Sequence, residues 1–247
     1  MRPLKYVDRL NEKYRSLGFP TYEWTIHRDA PISPLQKPLN ECCVSTLSTS
    51  GASRKQDPGL DPDARTDLRL DAIPANTPSD SFNINDNYYA HRSVVEDFNC
   101  QFPVERLREL AADGTIGQSA PRHWSGFMGR IYKRSAIIAK AEEFAVSLRQ
   151  DKVDLLILVP ACPLHHQTAV LVARTVEEAR IATVTLSTSR DLSVQVLAPR
   201  TAFVNFPMGN AFDRPGDIDQ QRRILLDALS LASQSSTAGE VIDLFYD

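Results

Sequence analysis

The pattern of hydrophobic and polar positions differs between the two parts of the chain, and it changes near residue 100. Beyond it, apolar residues recur every three to four positions, as in amphipathic helices, or form short continuous runs, as in parallel strands covered on both faces. Before it, turn-forming residues dominate and the periodicity is weak. The pattern predicts helices at 3–17, from 103 up to 114, and at 134–150, 163–179 and 219–232, and strands at 41–47, 153–159, 181–186 and 201–206.

Strands that alternate with helices predict an α/β fold. Such alternation is built as a Rossmann-like, doubly wound and largely parallel sheet, here with a long irregular N-terminal half. A length of 247 residues suits one domain of this kind. We expect a single α/β domain over residues 1–247, made of an N-terminal helix and irregular arm (1–40), a core (41–233) and a tail (234–247).

Glycine is scarce, with 10 residues in 247, and no two glycines stand in a G-x-G arrangement. The phosphate-binding loops of dinucleotide folds and Walker sites need glycine, because their backbone approaches phosphate closely. No nucleotide cofactor is therefore expected. The formal net charge of −3 and the lack of a basic run argue against nucleic acid or an anionic membrane as a partner.

Apolar runs and cysteines predict a cytoplasmic, reduced protein. The longest apolar run, 155–159, is far shorter than a membrane span, and residues 1–30 hold no apolar signal core. The four cysteines are too few and too unevenly spaced for a disulfide scaffold, and none lie in a C-x-x-C motif. Three of them, Cys42, Cys43 and Cys100, are expected to be structural.

The strongest chemical signal directly follows the predicted strand 153–159. The sequence there is Pro160-Ala161-Cys162-Pro163-Leu164-His165-His166. Proline suits the first position of a helix, which makes Cys162 the N-cap, where backbone N–H groups and the helix dipole favour a thiolate. His165 and His166 fall in the first turn and are candidate catalytic partners. The alternative interpretation is that Cys162 is a small buried residue that caps the helix and that His165 and His166 are solvated.

Candidate substrate-binding residues lie near other strand ends, since ligands of doubly wound sheets bind outside the carboxyl ends of the strands. They are Ser48 and Thr49 after the first predicted strand, Asn205 near the end of the last one, and Arg122 in a predicted loop. Hydroxyls and amides can hold a carboxylate, and arginine can pair with one bidentately. An ordinary polar loop and a surface arginine are the alternatives.

A zinc or iron site is a further hypothesis. Cysteine and histidine are ligands for both metals, and the candidates are Cys162, His91, His123 and His165. Their spacing matches no known metal pattern. Taken singly, His91 and His123 also fit the role of hydrogen-bonded loop histidines.

The chain resembles the selenoprotein B family of glycine, sarcosine, betaine and D-proline reductases. The resemblance is collinear over most of residues 40–230. It is carried by three stretches, namely residues 97–110 with 114–117 and Phe127-Met128-Gly129, residues 153–180, and residues 199–200 and 203–209 with 216–217 and 221–223.

This resemblance implies a thiol or selenol enzyme that cleaves a C–N bond reductively. Cys162 occupies the position of the family's selenocysteine, which attacks the carbon alpha to a carboxylate. His165 stands where the family often has a second cysteine, so an external thiol would supply the reducing equivalents. The resemblance also implies a pyruvoyl-bearing partner subunit, whose maturation site would lie on another polypeptide.

The sequence leaves several functions open. The first is a reductase-like enzyme that uses a cysteine thiolate on a small carboxylated or amino-acid-type substrate, alone, as a homo-oligomer or with a partner subunit. The second is a metal-dependent lyase or hydrolase with Cys/His ligands. The third is a non-catalytic reductase subunit that kept the fold. A racemase-like pair of Cys43 and Cys162 is a further alternative.

Overall fold

A computed structural model describes residues 2–64, 67–127, 133–235 and 237–246. Met128 and Gly129, which carry part of the family resemblance, lie outside these ranges. The described strands are β1 (Cys43–Ser48), β2 (Ala52–Arg54), β3 (Leu70–Pro74), β4 (Phe82–Ile84), β5 (Gln118–Ser119), β6 (Arg122–Gly126), β7 (Leu155–Val159), β8 (Ala182–Ser187), β9 (Arg200–Val204) and β10 (Glu240–Leu244). The described α-helices are α1 (Tyr6–Ser16), α2 (Arg92–Glu96), α3 (Val104–Ala112), α4 (Arg134–Gln150), α5 (Pro163–Glu178), α6 (Arg190–Val196) and α7 (Ile218–Gln234).

The main sheet confirms the predicted Rossmann-like α/β fold. Its strand order is β10-β9-β8-β7-β1-β6-β3, with β5 paired to β1 beside this path. Neighbouring strands run parallel except β3, which runs antiparallel to β6. A separate antiparallel pair is formed by β2 and β4.

Alternate residues of β7 face two different helical layers. Leu155, Ile157 and Val159 pack in the cluster that contains the buried residues of α3 and α7. Leu156 and Leu158 pack with the buried residues of α4 and α5. A strand covered on both faces must be apolar at every position, which is why this run is the clearest strand signal in the sequence.

The strand order places a crevice between β1 and β7. From β1 the chain continues to β6 on one side, whereas from β7 it continues to β8 on the other. Ligands of open α/β sheets bind at such a switch point, outside the carboxyl ends of the strands. The turn that follows β1 and the turn that carries Cys162 therefore meet at the edge where ligands bind.

Two regions of the sequence contain more regular structure than predicted. The segment expected to be a tail, 234–247, contains β10, which pairs in parallel with β9. Its residues are only half-buried, because β10 lies at the sheet edge, and the apolar signal is correspondingly weak. Short strands also lie in stretches predicted to be irregular, namely β3 in the N-terminal half and β6 in the predicted loop that contains Arg122.

The irregular arm is tied to the core by a buried ion pair. Arg200, at the start of β9, contacts Glu177 of α5 at 2.6 Å, and both side chains are at most 1% exposed. The Glu177 carboxylate also accepts the Ser33 N–H of the arm, while the Arg200 guanidinium donates to the Ser33 carbonyl. The pair thus joins the arm, a helix and two strands at the amino-terminal edge of the sheet.

Within the described ranges, no helix combines the length and apolar character needed to cross a membrane.

We predict that Arg200→Met lowers the free energy of unfolding by about 3–5 kcal/mol, because it leaves the Glu177 carboxylate buried and unpaired. The double variant Glu177→Leu/Arg200→Met should lose much less than the sum of the two single variants. Urea denaturation measures all three. Arg190→Met, which breaks the exposed pair with Asp243, is the control and should cost at most about 1 kcal/mol. If Arg200→Met and Arg190→Met lost equal free energy of unfolding, the buried pair would matter no more to stability than the exposed one, contrary to this prediction.

Candidate active site at the carboxyl edge of the sheet

Segments distant in sequence converge at the carboxyl ends of β1 and β7. The turn after β7 carries Cys162, the turn after β1 carries Ser50, and residues 85–91 come from the irregular half. The Tyr89 hydroxyl donates to the Ser50 carbonyl at 2.8 Å, which fixes this segment above the sheet edge. The Tyr89 ring also packs against Gly209, where a side chain would collide with the ring and where φ is +91°.

Cys162 is the N-cap of α5, as the sequence predicts, and Pro163 opens the helix. The Leu164 and His165 N–H groups face the sulfur and act to lower its pKa, although the side chain makes no cap hydrogen bond of ordinary geometry. A helix N-terminus is a suitable place for an anion. The turn therefore has the geometry that thiolate chemistry needs.

Burial opposes this effect at Cys162. The residue is 3% exposed, and burial raises the pKa of its thiol to about 12, with a further contribution from the carboxylate of Asp86. Desolvation therefore outweighs the helix N-terminus at Cys162 and favours the neutral thiol over the thiolate. The thiol becomes a nucleophile only when a base or a nearby positive charge compensates for burial.

Gln101 and Thr49 hold the turn before Cys162 in place. The Gln101 side-chain amide donates to the carbonyls of Val159 at 3.2 Å and Pro160 at 3.1 Å, and its oxygen accepts the Ala211 N–H. The Thr49 hydroxyl accepts the Ala161 N–H at 3.1 Å. These bonds satisfy buried backbone groups that no regular element serves.

The two neighbouring histidines of α5 are buried rather than solvated. His166 Nδ1 lies 2.8 Å from the Cys162 carbonyl oxygen. Because a carbonyl only accepts, Nδ1 carries the hydrogen and Nε2 keeps a lone pair. Burial lowers the pKa of His166 to about 4, so it is neutral at physiological pH and fixes the backbone of Cys162. His165 lies in the first turn of α5, and its own N–H is one of the two groups that face the sulfur.

Asp86 and Tyr89 are site residues that the sequence analysis missed. Asp86 is 4% exposed, and its charge acts on both Cys162 and Tyr89. His91 stands near both, with its ring 6.0 Å from that of Tyr89. Asn85, Asp86 and Asn87 form a polar run that is typical of a turn, and nothing in such a run distinguishes a buried carboxylate from an exposed one.

The predicted substrate-binding residues have different positions. The Ser48 and Thr49 hydroxyls lie at this edge but are engaged within the protein, with Ser48 bonded to Ser50 and to the Gln101 carbonyl. Asn205 directly follows β9 and is exposed at the same edge.

Arg122 lies at the start of β6, at the opposite edge, and pairs with Asp151 at 2.6 Å. It therefore does not join this site, contrary to prediction.

His123 also lies away from Cys162, because it is a sheet residue. Its Nδ1 accepts the Thr46 N–H at 3.3 Å, and its Nε2 lies 3.0 Å from the Ser119 hydroxyl. Burial lowers its pKa to about 3. Both ring nitrogens serve contacts inside the sheet, so the prediction of His123 as a loop residue near the site is wrong.

The predicted zinc or iron ligands do not assemble. Cys162, His91, His123 and His165 are all within the described ranges, and no group of three or more His, Cys, Asp or Glu residues there is arranged to hold a metal ion. The metal hypothesis relied on loop histidines that could reach the cysteine. His123 is instead fixed within the sheet.

A pairing of Cys43 with Cys162 is also contradicted. Cys43 opens β1 at the amino edge, where its sulfur faces the Asp151 carbonyl. The strand register places it about five residues below the carboxyl edge, which corresponds to roughly 16 Å. A two-cysteine racemase mechanism needs both sulfurs on one ligand, so this geometry does not support it.

Comparison with known proteins identifies one curated relative. The chain is 27% identical over 216 residues to D-proline reductase subunit gamma of Acetoanaerobium sticklandii, which covers 87% of this chain and 88% of the relative. No family model matches the chain. No solved structure matches it. The similarity supports a relationship to a reductase family.

Removing the Gln101 amide should loosen the turn that carries Cys162. We expect Gln101→Met to lower the free energy of unfolding by about 1–3 kcal/mol, because the Pro160 carbonyl and the Ala211 N–H are left buried without a partner. Faster alkylation of Cys162 should accompany this loss. Gln36→Met, at an exposed position, is the control for thermal denaturation and thiol labelling. A Gln101→Met protein as stable as this control would contradict the assigned role.

The stability of the protein should depend on pH through His123. Its pKa is depressed on folding, so the unfolded chain takes up a proton near pH 6.5 while the folded protein does not. His123 therefore contributes stability that is present above pH 6.5 and is lost on acidification towards pH 3. Compared with His123→Asn and His123→Gln, the wild type should lose about 2 kcal/mol more between pH 7 and pH 5. This assignment would be overturned if urea denaturation gave the same pH dependence of the free energy of unfolding for the wild type and both variants.

Proposed function

We propose that this protein is a reductase-type enzyme whose Cys162 sulfur cleaves a C–N bond in a small amino-acid-type substrate. The observation that carries the proposal is the position of Cys162. It caps α5 at the topological switch point of the sheet, in a chain similar over 87% of its length to a D-proline reductase subunit. The assignment to the selenoprotein B type, with cysteine in place of selenocysteine, is part of this proposal.

The proposed reaction proceeds in two steps. The Cys162 thiolate attacks the carbon alpha to the substrate carboxylate, so that a C–S bond forms while the C–N bond breaks and the amine leaves with the bonding pair. An external thiolate then attacks the Cys162 sulfur, and the carbon departs with the C–S pair and takes up a proton. A second external thiol resolves the mixed disulfide. Two thiols are oxidised to one disulfide, and the C–N bond is reduced to C–H and N–H.

The neighbouring side chains have separate roles in this proposal. His166 positions Cys162 through its carbonyl, and His165 is the proposed general base for the thiol proton. Ser48 and Thr49 act as positioning residues through their bonds within the turn. Asn205, exposed at the same edge, is a proposed contact for the substrate carboxylate.

Partners are proposed on the same basis. The relative is named as a subunit, so we infer that this chain works with a partner subunit. An external dithiol is the proposed electron donor, because Cys100, which precedes Gln101 at this edge, is buried with its sulfur beside the Gln221 amide. The other two described cysteines, Cys42 and Cys43, are buried at the amino edge.

One observation favours a second candidate function, that of a non-catalytic reductase subunit. The Cys162 thiol is buried, and its pKa is raised to about 12. A cysteine in this state reacts slowly. A chain that kept the fold but lost the reaction would have this property.

Trapping the first step tests the proposal. Incubating the protein with D-proline and other α-amino acids, without a reductant, should produce a covalent adduct on Cys162 that mass spectrometry detects. Cys162→Ser should form no adduct and should reduce C–N cleavage with dithiothreitol to the uncatalysed background, measured as a new primary amine from D-proline or as free amine from acyclic amino acids. Cys42→Ser, at the opposite edge, is the matched control and should behave as the wild type. Full activity in Cys162→Ser would overturn the catalytic role. Slow alkylation of Cys162 without an adduct would favour the non-catalytic subunit.

A further inference from the structure

Asp86 is a buried carboxylate with one satisfied oxygen and one unsatisfied oxygen. Its Oδ1 accepts the Tyr88 N–H at 2.5 Å. Its Oδ2 has no hydrogen-bond partner among the described residues. The residue is 4% exposed, although the segment around it contains exposed residues such as Asn87 and Tyr88.

Such a carboxylate is unfavourable unless a partner compensates for it. Burying a charged group without a partner costs free energy, and unsatisfied buried polar atoms are rare in folded proteins. Burial raises the pKa of Asp86 to about 6, so the group is still mostly ionised at neutral pH. No described lysine or arginine pairs with it. The nearest described basic side chain that acts on it is the exposed His91.

Asp86 belongs to the segment that Tyr89 anchors above the carboxyl edge of β1. Its charge reaches the Cys162 sulfur and the Tyr89 hydroxyl. The Tyr89 hydroxyl is held by Ser50 at the end of β1. The unsatisfied oxygen therefore belongs to the same switch-point crevice as the sulfur, and it supplies a negative charge where Cys162 needs a positive one.

The geometry points to Asp86 as the residue that binds the substrate's ammonium group at the carboxyl edge that carries Cys162. This inference rests on the proposed function and names the part of the substrate that the chain itself recognises. An ammonium group suits one carboxylate oxygen, since a single charge-assisted hydrogen bond satisfies both. A divalent metal ion would need several oxygen, nitrogen or sulfur ligands, and the described residues supply no such group.

Binding of an ammonium group at Asp86 would also serve the reaction. The bound positive charge neutralises the carboxylate that opposes ionisation of the thiol, so the thiolate forms when substrate is present. The ammonium nitrogen then leaves as a neutral amine, which takes the C–N bonding pair and keeps its own protons. The empty site keeps its cysteine neutral and unreactive.

Charged thiol reagents test the inference without requiring turnover. The probes are 2-aminoethyl methanethiosulfonate, which is cationic, and 2-sulfonatoethyl methanethiosulfonate, which is anionic. Each labelling rate at Cys162 is divided by the rate of the same reagent with free cysteine. We expect the wild type to favour the cationic reagent by about tenfold or more, because a nearby charge of opposite sign attracts it. Asp86→Asn should abolish most of this preference, and Asp86→Glu should retain it.

Two controls make the result decisive. Cys162→Ser shows which labelling belongs to Cys162, and Asp80→Asn removes an exposed carboxylate and should leave the preference unchanged. Circular dichroism confirms that each variant is folded, and Asp86→Ala, which also removes the carboxylate, replaces Asp86→Asn if the latter does not fold. The inference is overturned by equal normalised rates in the wild type, by an unchanged preference in Asp86→Asn, or by no labelling of Cys162. Failure of the proposed reaction would be recognised by a different result, because the Cys162→Ser variant would then keep full activity.

Discussion

The Gln101 amide is the interaction on which the arrangement of the site depends. Its side chain is fully buried and joins the turn after β7 to the loop after β9, while the Gln101 backbone carbonyl accepts the Ser48 hydroxyl at the end of β1. Parallel strands leave their last backbone groups unpaired at the carboxyl edge, and these groups must find partners if they are buried. One side chain with two donors and one acceptor oxygen satisfies several of them. The position of Cys162 follows from this arrangement.

Two opposing physical effects act on the cysteine. The helix N-terminus favours a negative charge, but its effect is limited, and the N–H groups make no full cap bond to the sulfur. Burial and the Asp86 carboxylate act in the other direction and prevail in the free protein. Under the proposed function, a site with this balance stays inactive until a cation enters, which limits side reactions of the thiol with other electrophiles.

The sequence predicted the parts of the fold in which local pattern and tertiary packing agree. The helix 134–150 and the apolar strand before Cys162 are examples, because both helical spacing and two-sided burial leave a clear pattern. β10 and β6 were missed because an edge strand is only half-buried and because β6 contains His123 and Ser125. The N-cap position of Cys162 was predictable from Pro163. The buried state of Cys162 was not, since it depends on residues 85–91, whose packing no local pattern encodes.

The positions of Arg122 and His123 show a related limit. Both lie in a stretch predicted as loop, where a side chain could reach the cysteine. The stretch is instead a strand parallel to β1, so its first residues lie at the far edge of the sheet. The same register brings the end of β6 to Ser48. One missed strand therefore changes the position of two candidate residues, with Arg122 at the amino edge and His123 inside the sheet.

The two outer strands of the sheet have a consequence for association between chains. An exposed strand edge is a template for pairing with another strand, and proteins protect such edges with charge, proline or short length. β3 carries Asp71 and Pro74, and β10 carries Glu240 and Asp243. Each outer strand is five residues long. Both edges thus discourage addition of a strand from a second molecule, and the sheet is protected from edge-to-edge aggregation.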